Sequence, residues 1–135
     1  MILGVDFGDS RTGYATSDAL GFSAHTHEVY SEKNMQKVAQ YTAELAKNLN
    51  AEKIVLGFPK NMNGTIGERG KKTKKFAAAL RELTGLEVIL WDERLTTVSA
   101  HNLMNETNVR GKKRKDTVDQ VAAAFILQAY LDSNK

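Results

Sequence analysis

Met1-Ile2-Leu3-Gly4-Val5-Asp6-Phe7, then Gly8-Asp9-Ser10, then Arg11-Thr12-Gly13-Tyr14-Ala15-Thr16-Ser17: this opening decides the fold. Seven residues, apolar but for one acid, read as a strand. Gly8-Asp9-Ser10 is turn chemistry, and Arg11–Ser17 returns as a second strand. A turn this short joins antiparallel neighbours, because parallel strands need a crossover of a dozen or more residues. Asp18–Gly21 turns again and Phe22–Tyr30 reads as a third strand.

Outward from this meander the period changes. Met35, Val38, Ala39, Thr42, Leu45, Ala46 and Leu49 recur at helical spacing. Lys53–Phe58 is nearly continuous apolar sequence, as in a strand buried on both faces. Thr65 and Glu68 have capping-box spacing before a helix carrying Phe76, Ala77, Leu80 and Leu83, with Gly85 as its stop. Glu87–Trp91 reads as another buried strand and Thr97–Asn105 as a short helix. Arg110–Lys115 reads as a loop, and Val118, Val121, Ala122, Phe125 and Ala129 as the stripe of a last amphipathic helix. The order β-β-β-α-β-α-β-α-α predicts one α/β domain over 1–135. Its mixed sheet has five strands, three antiparallel and then two parallel, flanked by helices.

The chain has 135 residues, 41% apolar and 26% charged, with no cysteine. That excludes disulfide scaffolds, thiol catalysis and cysteine-bound metals. No apolar run approaches the roughly 20 residues a membrane span needs. The first residues lack the basic region of a signal peptide, so the expected setting is the cytoplasm, without membrane contact. The net charge of +3 hides an uneven distribution. Lys71, Lys72, Lys74 and Lys75 form one basic segment; Arg110, Lys112, Lys113, Arg114 and Lys115 form another. Of the 19 basic residues nine lie there, leaving ten against 16 acids. Two concentrated basic segments on a mildly acidic body fit a nucleic-acid backbone, although a solvated helix face and a loop would also carry such charge.

Carboxylates at strand ends carry the chemistry. Asp6 interrupts the most apolar strand, where a charge is costly unless paired or bound to a cation; a turn-forming role before Gly8 is the plainer reading. Asp92 and Glu93 directly follow a buried strand, at the carboxyl end where α/β sites form, or else serve as helix-start acids. Asp116 and Asp119, three apart, share a face of the last helix. Asp116 suits dipole compensation, and Asp119, just before the apolar stretch, is the better site candidate. Acids converging from separate elements can hold two divalent ions for phosphodiester cleavage. Arg11 and Arg94 stand beside these acids and can grip phosphates or act as counter-ions. The segment Gly57–Thr65, with Lys60 and Asn61, leads into a helix start that can accept phosphate. His25 and His27 make only a weak metal pair, and no nucleophile–base pairing supports a serine-type triad.

Four segments then resemble the YqgF, or RuvX, family: DFGDSRTGYATSD (6–18), VLGFPKNMNGTIGERG (55–70), WDERLTTVSA (91–100) and DTVDQVAAAFILQAYL (116–131). The similarity spans essentially the whole chain. It implies an RNase H-like three-layer fold related to RuvC-type Holliday-junction resolvases. It also implies a magnesium- or manganese-dependent nuclease, with a two-metal site, that matures the 5′ end of precursor 16S rRNA. By that resemblance Asp6, Glu93 and Asp119 are the catalytic acids and Asp92 and Asp116 further metal ligands. From their charge and placement, rather than from the family, Arg11, Lys60, Asn61, Arg94 and the two basic segments are the expected nucleic-acid contacts. The resolvases' middle glutamate follows the fourth strand, where this chain has Gly57-Phe58-Pro59 instead, so the acid must come from Asp92 or Glu93. Thr12 stands where an aliphatic residue is expected. The implied partners are structured RNA or branched DNA and ribosomal assembly intermediates, met as a monomer or weak homodimer. The rivals are a DNA junction resolvase and a non-catalytic RNA-binding assembly factor; a two-lobed actin-like ATPase would need a longer chain.

Overall fold

The computed structural model describes residues 1–59, 67–92 and 111–133, the last stretch with side chains from residue 121 onward. The strands are β1 (Ile2–Phe7), β2 (Arg11–Ser17), β3 (Ala24–Ser31), β4 (Lys53–Phe58) and β5 (Glu87–Asp92). The helices are α1 (Met35–Asn48), α2 (Glu68–Thr84) and α3 (Gly111–Ser133). The sheet order is β3-β2-β1-β4-β5. β1 pairs antiparallel with β2, and β2 with β3, while β4 runs parallel to both β1 and β5. The expected mixed sheet is borne out, with β1 at its centre.

The alternation of β1 divides the molecule into layers. Leu3, Val5 and Phe7 join Tyr14, Ile54, Leu56 and Val88 in one core with Val38, Ala46, Phe76 and Leu80 of α1 and α2. Ala15 and Val55 meet Ala123, Ile126, Leu127 and Leu131 of α3 on the other face, with Ile2, Ile89 and Trp91 at the margin. Gly4 sets the depth of the α3 contact: a Cβ there would lie 2.8 Å from Leu127 Cβ and 3.2 Å from the Ala123 carbonyl. In the first core the Tyr14 hydroxyl bonds Thr42 Oγ1 at 2.6 Å. Burial pushes the Tyr14 phenol well above its ordinary range.

Several sequence expectations shift. Gly111–Lys115 is the first part of α3 rather than a loop, because lysine and arginine are good helix formers and the charge run does not break the helix. The buried stripe of α3 is Ala122, Ala123, Ile126, Leu127 and Leu131; Val121, Phe125 and Ala129 stand at its margin. α2 begins at Glu68 with Gly67 as N-cap and no side-chain cap bond, so Glu68 is not the third residue of a capping box. Leu83 is half-exposed. The third strand starts two residues later than expected. A register shift opposite Tyr14/Ala15 skips His27 and breaks its alternation with His25. Thr12 is fully buried, and its Oγ1 finds no hydrogen-bond partner among the described residues. The expected helix at 97–105 and Thr65 lie outside the described residues.

Candidate active site

Three parallel strands end side by side, β1 at Phe7, β4 at Phe58 and β5 at Asp92. Asp6 stands one residue short of that edge. Since Leu3, Val5 and Phe7 occupy the α1–α2 face, alternation turns Asp6, with Ile2 and Gly4, toward α3. The residue is half-buried and its Oδ1 is withdrawn from solvent. Its partner on β2 is Gly13. On β4 the pairing of Val5 with Leu56 brings Gly57 level with it, and Gly57 pairs with Trp91. The row across the sheet therefore reads Gly13, Asp6, Gly57, Trp91. No side chain stands level with the carboxylate on either neighbouring strand. Trp91 meets the Tyr130 ring edge-on at 6.0 Å. Its Nε1 is buried without a hydrogen-bond partner among the described residues.

α3 runs antiparallel to β1. Ala123 and Leu127 lie over Gly4, while Tyr130 and Leu131 border a cavity with Ile2 and Lys53 at the opposite end of the strands. The first turns of α3, with positions 116 and 119, are therefore at the Asp6 end. Asp92 is placed differently. It pairs with Phe58, whose ring lies 5.9 Å from Lys74 Nζ of α2, and shares the parity of Val88 and Leu90. Asp92 thus belongs to the α1–α2 face, opposite Asp6.

The four lysines of α2 are all exposed but not equivalent. Lys72 pairs with Asp9 at 3.3 Å and Lys74 sits over Phe58, whereas Lys71 and Lys75 share another side of the helix. Arg11 is half-buried at the start of β2. Lys60, Asn61, Glu93, Arg94 and Arg110 lie outside the described residues, as do the side chains of Lys112, Lys113, Arg114, Lys115, Asp116 and Asp119. Among the described residues no group of three or more histidines and acids could hold a metal ion. The sequence reading passed over Arg69, which donates from Nη2 to the Phe7 carbonyl at 3.1 Å. The signal was present in its helical spacing with Lys72 and Phe76.

The profile of the RuvX family, described as Holliday junction resolvase, matches residues 1–133. A protein of Agathobacter rectalis, provisionally named a pre-16S rRNA nuclease, is 51% identical over 134 residues, covering 97% of this chain and 94% of its own. A Bacillus cytotoxicus protein of the same name is 48% identical over 134 residues, covering 98% of each. Among solved structures, T. thermophilus RuvC in complex with Holliday junction substrate aligns with a TM-score of 0.60 at 13% identity, over 98% of this chain and 94% of that one. The fowlpox virus resolvase with Holliday junction DNA gives 0.59 at 13% identity, over 98% and 97%. At such identity the likeness concerns fold alone, and it bears out the expected RNase H-like architecture.

Proposed function

The chain belongs to the RuvX family, and from that premise we propose that it is a divalent-metal-dependent endonuclease acting on structured RNA, at the 5′ end of precursor 16S rRNA. The enzyme class follows from the family and the nuclease relatives: a hydrolase of phosphodiester bonds. The observation that carries the metal-dependent reading is Asp6, a half-buried carboxylate on the central strand with glycine on both sides. It stands at the carboxyl ends of the parallel strands, where sites form in α/β sheets, and the flanking glycines place no side chain beside it.

The donor set fits a hard cation, because every candidate ligand is a carboxylate oxygen. Asp6, Glu93 and Asp119 would hold magnesium or manganese, with Asp92 and Asp116 in reserve. Four residues of α3 before Ala123, a rise of about 6 Å, match the two-residue advance of about 6.6 Å from Gly4 to Asp6, which supports position 119. Asp92 is disfavoured by its parity, and Glu93 is the acid we assign from that corner. Bound divalent ions supply activation of the attacking water and neutralise charge at the leaving oxygen. The protein's share is to hold Asp6 facing α3 and to keep the RNA backbone beside it. Lys71 and Lys75, with Arg11, Lys60, Asn61, Arg94 and Arg110–Lys115, contact phosphates largely without reading bases. We place this work in the cytoplasm. No described helix is long and apolar enough to cross a membrane.

The test is cleavage of precursor 16S RNA, and separately of a four-way DNA junction, with manganese or magnesium, with EDTA, and with Asp6→Asn. We expect metal-dependent RNA cleavage that Asp6→Asn lowers by about a thousandfold or more. Junction cleavage alone would support the second reading, a DNA resolvase, which the family description favours. RNA binding without cleavage, indifferent to EDTA and to Asp6→Asn, would leave a non-catalytic assembly factor.

A further inference from the structure

Arg69, Lys72 and Phe76 lie on one side of α2, three and then four residues apart. All three touch the hairpin that carries Asp6. Arg69 donates to the Phe7 carbonyl at 3.1 Å. Lys72 reaches Asp9 at 3.3 Å. The Phe76 ring stacks on Phe7, with centroids 4.2 Å apart and planes 6° from parallel. Gly8, between Phe7 and Asp9, has no alternative, since a Cβ there would run into the Arg11 carbonyl. On its far side the hairpin is tied by Glu32 N–H to the Ser10 carbonyl at 3.0 Å.

Resting on the nuclease reading, we propose that Arg69 is a positioning residue, which fixes the end of β1 and thereby the direction of the Asp6 carboxylate. The register between β1 and β4 extends to Val5 and Leu56. Beyond it β4 leads into Pro59, which has no N–H to offer this end of the sheet. The guanidinium supplies a charged donor to the carbonyl there. Phe7 and Asp6 are consecutive and point to opposite faces, so a Phe7 pinned by carbonyl and ring leaves Asp6 one way to face. The ion pair of Lys72 with Asp9 is exposed and adds little; the bond from Arg69 is partly buried and carries the effect. Arg69 touches no reacting group in this scheme and acts through the backbone of β1.

The experiment compares wild type, Arg69→Ala, Arg69→Lys and Lys71→Ala. Amide exchange of Asp6–Ser10 and manganese binding by electron paramagnetic resonance are measured without RNA, and kcat and KM with it. Expected for Arg69→Ala are exchange at Phe7–Ser10 faster by about tenfold, manganese affinity several-fold weaker, kcat about tenfold or more lower and KM within about twofold. Arg69→Lys, which keeps a charged donor, recovers part of each loss, and Lys71→Ala shifts KM alone. A raised KM with unchanged kcat and exchange in Arg69→Ala would overturn the proposal and make Arg69 a phosphate contact. Unchanged exchange and manganese affinity would overturn it as well. If wild type cleaves no RNA yet Arg69→Ala still loosens the hairpin and weakens manganese binding, positioning stands and the RNA nuclease reading fails.

Discussion

β1 has two faces, and they obey different rules. On the α1–α2 side Leu3, Val5 and Phe7 are large, buried and packed against Val38, Phe76 and Leu80. On the α3 side the same strand offers Ile2, Gly4 and Asp6: a marginal apolar residue, an absent side chain and a charge. Burying one leucine or phenylalanine contributes about 1.5–3 kcal/mol, so the first face stabilises the sheet that the second face weakens. The strand can hold a carboxylate one residue from its end because its other face compensates. The site is thus set by parity as much as by position along the chain.

The largest effect expected from parity concerns the two adjacent acids at the end of β5. Asp92 shares the face of Val88 and Leu90, away from Asp6. We expect Glu93→Gln to lower metal-dependent cleavage by about a hundredfold or more and Asp92→Asn by less than about tenfold. Single-turnover rates at saturating manganese decide it. Equal losses would mean that the end of β5 is not governed by the alternation of its body.

Next comes Gly4→Ala. The new methyl meets Leu127 Cβ at 2.8 Å and the Ala123 carbonyl at 3.2 Å, and a backbone atom cannot rotate away. Such overpacking costs about 1–3 kcal/mol, read as a lower urea midpoint at unchanged slope. It also lifts α3 from the strand, so cleavage should fall more than RNA binding does. A variant of wild-type stability would show that α3 is not held at this contact.

On the opposite face the contrast inverts, and a substitution there should stabilise. Thr12 is fully buried with its hydroxyl unsatisfied among the described residues. Thr12→Val keeps the shape and removes the hydroxyl, so we expect a gain of about 1 kcal/mol, within the 1–3 kcal/mol that an orphaned buried group costs. A higher urea midpoint with cleavage unchanged is the predicted outcome. A lower midpoint would mean that the hydroxyl is bonded after all.

Much of this arrangement is legible in the order of residues. The short turn at Gly8-Asp9-Ser10 forces antiparallel pairing, and the apolar run Lys53–Phe58 announces a strand covered on both faces. Asp6 stands out because a charge in that company needs a reason. What stays hidden is lateral. That Gly13 and Gly57 flank Asp6 depends on the registers of two separate ladders, and that Asp92 lies on the far face depends on β5's pairing with β4. Composition also misleads at Gly111–Lys115, where a dense charge run suggests a loop although its residues favour helix. For the same reason four lysines of one helix look alike until the fold shows which already have partners.

Those lysines give the smallest expected effect. Lys72 and Lys74 are engaged with Asp9 and Phe58, while Lys71 and Lys75, four apart, are exposed together. Removing one lysine that neutralises a phosphate should reduce the slope of log K against log salt by about 0.7–0.9. Lys71→Ala with Lys75→Ala should therefore flatten the slope for RNA binding by about 1.5, with no change in preference among RNA sequences. Lys72→Ala with Lys74→Ala should alter it by less than half as much, because those side chains would first have to leave their partners. Equal changes from the two pairs would mean that RNA draws Lys72 off Asp9. On its α2 side the hairpin beside Asp6 would then be held by Arg69 and Phe76 while substrate is bound.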